Sequence, residues 1–108
     1  MNLTIEIRAN PEKFQELYQS LQTLLPTMRK RDGCRESRLY RDVDEGEIFF
    51  LQMHWEDSSK FEGYMQSVSG SALLGAIDLL SKSVRVRMGS NEPWNGGIEI
   101  LKRIRKGT

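Results

Sequence analysis

DGCRESRLYRDVDEGEIFFLQMHWEDSSKFEGYMQS, residues 32–67, is the stretch on which the fold turns. At its centre Phe49, Leu51, Met53 and Trp55 fall on one side of the chain and Ile48, Phe50, Gln52 and His54 on the other. That period of two is the mark of a β-strand, predicted over Glu47 to Trp55. Asp44-Glu45-Gly46 before it reads as a hairpin turn, and Cys34 to Val43 as the partner strand, entered through a turn at Asp32-Gly33. After Trp55 the period changes. Ser58-Ser59 followed by Glu62 offers a capping box, and Phe61, Tyr64, Met65 and Val68 supply the apolar side of a helix.

Working outward, Leu3, Ile5 and Ile7 alternate with Thr4, Glu6 and Arg8, a first strand with one buried face. Asn10-Pro11 supplies a helix cap and a proline at the first helical position. Phe14, Leu17, Tyr18, Leu21, Leu24, Leu25 and Met28 then form an amphipathic stripe, which Pro26 is expected to kink or end. Arg29, Lys30 and Arg31 sit at the negative end of that helix dipole and read as a solvated terminus. On the other side, Gly70-Ser71 is predicted to break the second helix before Ala72, Leu73, Ile77 and Leu80 resume it. Val84, Val86 and Met88 alternate with Arg85 and Arg87 in a last strand.

The resulting order is strand, helix, strand, strand, helix, strand. It predicts an α+β, ferredoxin-like split βαβ domain over residues 1–90: a four-stranded antiparallel sheet with its helices on one face. The other face would carry Thr4, Glu6, Arg8, Ile48, Phe50, Gln52, His54, Arg85 and Arg87. Ile48 and Phe50 are too apolar for a fully wet surface, so a homodimer packed through its sheet faces is expected. Residues 91–108 read as a separate extension. Asn91 to Gly97 form a turn region, and Ile98, Ile100 and Ile104 suggest an extra edge strand made basic by Lys102, Arg103, Arg105 and Lys106.

Composition narrows the function classes. At 108 residues the chain makes one domain, and 38% hydrophobic with 29% charged residues is an ordinary globular balance. A net charge of +1 gives no strong field for nucleic acid or anionic lipid. Neither a membrane span nor a secretory leader is expected, and a cytoplasmic location follows. The lone Cys34 and lone His54 exclude an internal disulfide and a histidine metal cluster, so no disulfide scaffold and no bound metal is expected.

Familiar motifs fail on inspection. Gly70 and Gly75 have phosphate-loop spacing, but Ala76 and Ile77 stand where Lys and Ser or Thr are needed. Asp42 and Asp44 resemble the start of a calcium loop whose closing glutamate is replaced by Met53. Cys34 reads as a buried, inert thiol. Tyr40 and Phe50 could stack bases, but the aromatic motif of RNA-binding sheets is missing. What remains is Met53, His54 and Trp55 at the strand end with Phe61, Tyr64 and Met65 on the following helix. These residues either line an apolar cleft with a few polar groups or simply fill the core.

The same 36-residue stretch resembles the antibiotic biosynthesis monooxygenase family of the dimeric α–β barrel superfamily. The resemblance rests on Gly33-Cys34 opening the second strand, Leu39-Tyr40-Arg41-Asp42 before the hairpin, and Trp55-Glu56-Asp57-Ser58 ending the third strand. It implies two ferredoxin-like subunits joined into a barrel, each with a pocket between helices and sheet. It also implies cofactor-independent oxidation of a small aromatic or quinol-like substrate by O2, with Trp55 and Tyr64 as catalytic residues. Met53, Phe61, Met65 and Leu74 would contact substrate. Many members carry Glu-x-Trp where this chain has Met53-His54-Trp55, and a His where Tyr64 stands. A heme-degrading branch would place its iron ligand at Leu74, which cannot ligate iron. The departures keep an alternative open, a non-catalytic dimeric barrel that binds a small hydrophobic ligand or a partner protein.

Overall fold

Alternating burial along the first strand sets the architecture: Leu3, Ile5, Ile7 and Ala9 are buried while Glu6 and Arg8 are only partly so. The computed structural model describes residues 1–89 and 93–107. Strands β1 (Asn2–Ala9), β2 (Cys34–Arg41), β3 (Ile48–Trp55) and β4 (Ser81–Met88) form one antiparallel sheet in the order β2-β3-β1-β4. A 3-10 turn at Pro11–Lys13 leads into α1 (Phe14–Arg29), and α2 (Ser58–Gln66) and α3 (Val68–Leu80) connect β3 to β4. This is the α+β ferredoxin-like arrangement, with the apolar sides of β1, β3 and β4 turned to the helices.

The core lies between the helices and that face. Leu17, Leu21 and Met28 of α1 and Leu73, Ile77 and Leu80 of α3 pack with Ile5, Ile7, Phe49, Leu51 and Val86. Each such side chain contributes about 1.5–3 kcal/mol when fully buried. Phe49 also stacks on Phe14 and Tyr18, with ring centroids 5.1 and 5.8 Å apart, and the Arg41 guanidinium covers Phe14. On the opposite face, in register, stand Thr4 beside Gln52 and Arg87, Glu6 beside Phe50 and Arg85, and Arg8 beside Ile48. Thr4 and Ile48 are buried there without any helix above them, because their neighbours are long, stemmed side chains that fold over apolar surface.

Several boundaries differ from expectation. Pro26 lies inside α1 and does not end it; the helix runs on to Arg29. The cap of α2 is Asp57, not Ser58: its carboxylate accepts from the Lys60 amide at 3.1 Å, so Glu62 plays no part in a capping box. The break between α2 and α3 falls at Ser67, three residues before Gly70, and leaves Val68 almost fully exposed. Gly70 is a packing residue instead. A Cβ there would sit 2.1 Å from the Tyr64 carbonyl oxygen, so α3 can pass this close to α2 only at a glycine.

The largest correction concerns the C-terminal segment. Residues Ile98–Lys106, expected as an extra edge strand, form the helix α4. Leu101 is buried and Ile98, Ile100 and Ile104 pack against the core, at a spacing of three and four that suits a helix. The edge of β4 is closed one step earlier: Asn95 N–H donates to Val86 O at 2.7 Å, and Val86 N–H donates to Gly96 O at 2.7 Å. Asn91 and Glu92 of the expected turn region lie outside the described residues.

Candidate functional site

The strand end and helix singled out by the sequence do come together. Met53 and Trp55 from β3 and Phe61, Tyr64 and Met65 from α2 belong to one buried cluster. Trp55 and Tyr64 have 0% exposure. Their ring centroids are 5.5 Å apart, and Phe61 lies 5.8 Å from Trp55. Those spacings are ordinary aromatic contact and leave no room for a third ring between them. Leu74 reaches the same core from another side and lines a groove with Gln66, Lys102, Arg105 and Lys106.

Two polar atoms in this cluster have bonding capacity left over. Trp55 Nε1 is buried with no hydrogen-bond partner among the described residues, which is rare because an unpaired buried donor forfeits its hydration. The Tyr64 hydroxyl has a long contact only, accepting from Ser69 Oγ at 3.4 Å. Burial pushes the Tyr64 phenol above its ordinary value, against smaller opposing effects of Ser69 and Arg31. The group is therefore a neutral O–H donor at neutral pH, not a base. Ser67 holds this tyrosine's backbone: its hydroxyl donates to Tyr64 O at 2.5 Å and accepts from Gly70 N–H at 3.2 Å.

A strap closes the cluster at the turn between α1 and β2. Arg31 Nη2 donates to Gly63 O at 3.2 Å, and Glu56 N–H donates to Gly33 O at 2.7 Å. Lys60 Nζ pairs with Asp32 at 2.7 Å, which lowers the Asp32 carboxyl and raises the Lys60 ammonium. Gly33 has φ +87°, and a Cβ there would strike the Lys60 side chain at 2.4 Å. The basic triplet is thus more than a solvated end, since Arg29 Nε also donates to Ser37 O at 2.8 Å. Cys34, beside this strap, is half-buried, and burial pushes its thiol up.

An open pocket exists on the other face of the sheet. A cavity of about 190 Å³ is lined by Asn2, Thr4, Glu36, Gln52, His54, Arg87 and Gly89, together with Leu3 and Met53. His54 lies on this face as the alternation predicts, away from Trp55. Sequence reasoning placed Arg87 and Thr4 on the face but saw no site there. The pocket joins residues from four strands, and no local spacing reports such a gathering. Among the described residues no three His, Cys, Asp or Glu side chains gather to hold a metal ion, and no helix is long and apolar enough to cross a membrane.

Comparison with known proteins adds to this geometry. The sequence profile described as antibiotic biosynthesis monooxygenase matches residues 1–71, from β1 into the start of α3. PA3566 from Pseudomonas aeruginosa superposes with a TM-score of 0.77 at 20% identity, covering 85% of this chain and 93% of that one. Rv0793 from Mycobacterium tuberculosis gives 0.73 at 19% identity, covering 84% and 95%. A crystal structure described as an antibiotic biosynthesis monooxygenase gives 0.77 at 15% identity, covering 85% and 98%. Among curated proteins none matches.

Proposed function

Because the chain belongs to the antibiotic biosynthesis monooxygenase family, we propose that it is a cofactor-independent monooxygenase acting on a small phenolic or quinol-like substrate, as a homodimer joined through the open sheet faces. The observation that carries this reading is the Trp55–Tyr64 pair, two donors with unused capacity held in an otherwise apolar compartment. A phenolate bound there would gain a hydrogen bond from the Tyr64 hydroxyl, with the Trp55 ring as its wall. The activated phenolate gives one electron to O2, the two radicals combine at the para carbon, and water leaves. Phenol and O2 become quinone and water, and the atoms balance. The protein's share is to orient the ring, stabilise the oxyanion and exclude bulk water. Since the two rings touch, substrate entry requires one of them to swing.

The close contact of those rings specifically favours a second reading, a non-catalytic dimeric barrel for a hydrophobic ligand or partner. Oxygen uptake over a panel of hydroquinones and naphthols separates the two. The monooxygenase reading expects consumption proportional to protein, and Tyr64→Phe lowering turnover about tenfold or more with little change in KM. No uptake across the panel, with thermal shifts from the same compounds, would establish the second reading in its place. Sedimentation as a monomer at micromolar concentration would remove the barrel from both.

A further inference from the structure

The groove where α4 lies against α2 and α3 is basic at its rim and apolar at its floor. Its cavity, about 330 Å³, is lined by Gln66, Leu74, Lys102, Arg105 and Lys106, with no acidic side chain among them. Lys102 is answered from outside the lining by Asp78, at 3.2 Å. Arg105 is anchored through a single nitrogen. Its Nη1 donates to Met65 O and, at 3.2 Å, to Ser67 O, the carbonyls at the C-terminal end of α2. Nε and Nη2 of the same guanidinium make no hydrogen bond or ion pair among the described residues, and both stay accessible. Lys106, on the next position and exposed, has no ion pair among the described residues either. Nε and Nη2 form the edge with which Arg85 holds both carboxylate oxygens of Glu6, at 2.9 and 2.7 Å, and in Arg105 that edge is free. Anchoring Nη1 orients the fork before any ligand arrives, so little side-chain freedom is lost on binding.

We infer that this groove binds a small carboxylic acid with an apolar body, the carboxylate on the free edge of Arg105 with Lys106 beside it, and the body against Leu74. Leu74 is 9% exposed and belongs to the core, and the aliphatic stems of Lys102 and Lys106 extend its apolar surface. A bare inorganic anion would leave that surface unused. The volume lies at the lower end of the range for small-molecule sites. The walls are three helices of one chain, on the side of the sheet away from the open face, so a dimer joined through the sheets is not built on this surface. Four of the five lining residues lie beyond residues 1–71, which the family profile matches. The oxidation proposed above does not enter the inference.

Chemical-shift titration of the isotope-labelled full chain in low salt tests it. Phenylpropionate is the probe, phenylpropanol its uncharged analogue, and acetate the carboxylate without the body. Saturable shifts centred on Gln66, Leu74 and Arg105 are expected with phenylpropionate, at an affinity about tenfold or more above that of either control. Lys106→Gln, at an exposed and unpaired position, should weaken binding about two- to fivefold. Arg105→Gln should weaken it about tenfold or more, and Arg105→Lys by less, because charge without the fork recovers part of the interaction. Arg105 also anchors α4, so the Lys106→Gln result decides where Arg105→Gln loosens the helix. Lys13→Gln, in the turn before α1, should leave binding unaltered. No saturable shift, equal affinity for phenylpropanol or for acetate, or unchanged affinity in Lys106→Gln and Arg105→Gln would each overturn the proposal. So would shifts centred on Trp55 and Tyr64, which would assign the acid to the buried compartment. Cosedimentation with phosphatidylglycerol vesicles without phenylpropionate binding would overturn it too, and make the basic rim a lipid contact.

Discussion

The two faces of this sheet are built from the same four strands and solve opposite problems. Under the helices, Trp55, Phe61, Tyr64 and Met65 are almost completely buried, and nearly all stabilisation there comes from apolar area removed from water. On the open face, order comes from charge: Glu6 with Arg85 and Arg8 with Glu47 between strands, and Glu36 with Arg38 along β2. A dry face tolerates no missing volume. A charged face tolerates loss of an exposed pair such as Glu36–Arg38, because such a pair stabilises little.

The sharpest way to break that contrast is to empty the dry face. Trp55→Ala should cost about 3–5 kcal/mol in urea unfolding, as for other buried aromatic truncations; a loss below 1 kcal/mol would mean the compartment is far looser than its packing. Gly70→Ala adds a methyl group where the Tyr64 carbonyl stands, and about 2–3 kcal/mol should be lost as α3 is pushed from α2. Unchanged thermal stability of that variant would refute the close approach.

Alkaline titration sharpens the comparison through Tyr64. Its folded-state phenol titrates above the ordinary tyrosine range because it is buried, so the folded chain holds a proton that the unfolded chain releases near pH 10. The stabilisation is complete below that pH and is lost as pH rises through the folded value. Tyr64→Phe should therefore flatten the decline in stability above pH 10; parallel profiles for the two proteins would contradict the sign. The smallest effect belongs to the charged face. Glu36→Gln, which removes the exposed pair with Arg38, should cost about 0.5 kcal/mol, measured by the same unfolding and diminished further by salt. A loss as large as that of Trp55→Ala would contradict so small a contribution from the pair.

Much of this was legible in the residues, and the misses share a cause. Alternation along Leu3–Ile7 and Phe49–Trp55 identifies strands because a pleat allows no other period, and the hairpin at Asp44–Gly46 follows from turn chemistry. The C-terminal segment is ambiguous in sequence because Ile98, Ile100 and Ile104 satisfy a period of two and a helical spacing about equally over so short a run; packing of Leu101 into the core decides for the helix. Gly70 reads as a breaker in sequence because a glycine that permits close packing and a glycine that ends a helix look alike until the neighbouring helix is in place.

For the candidate site, sequence alone chose Trp55 and Tyr64, since large amphipathic rings at a strand end and on the next helix face must meet when the helix folds back on the sheet. It also set the order of strands and helices and the two faces of each strand, which are local consequences of side-chain geometry. Only the assembled sheet could decide that these rings close on each other and that Trp55 Nε1 is left without a hydrogen-bond partner among the described residues. Those facts depend on which strands lie side by side and in what register, and register is a property of all four strands together.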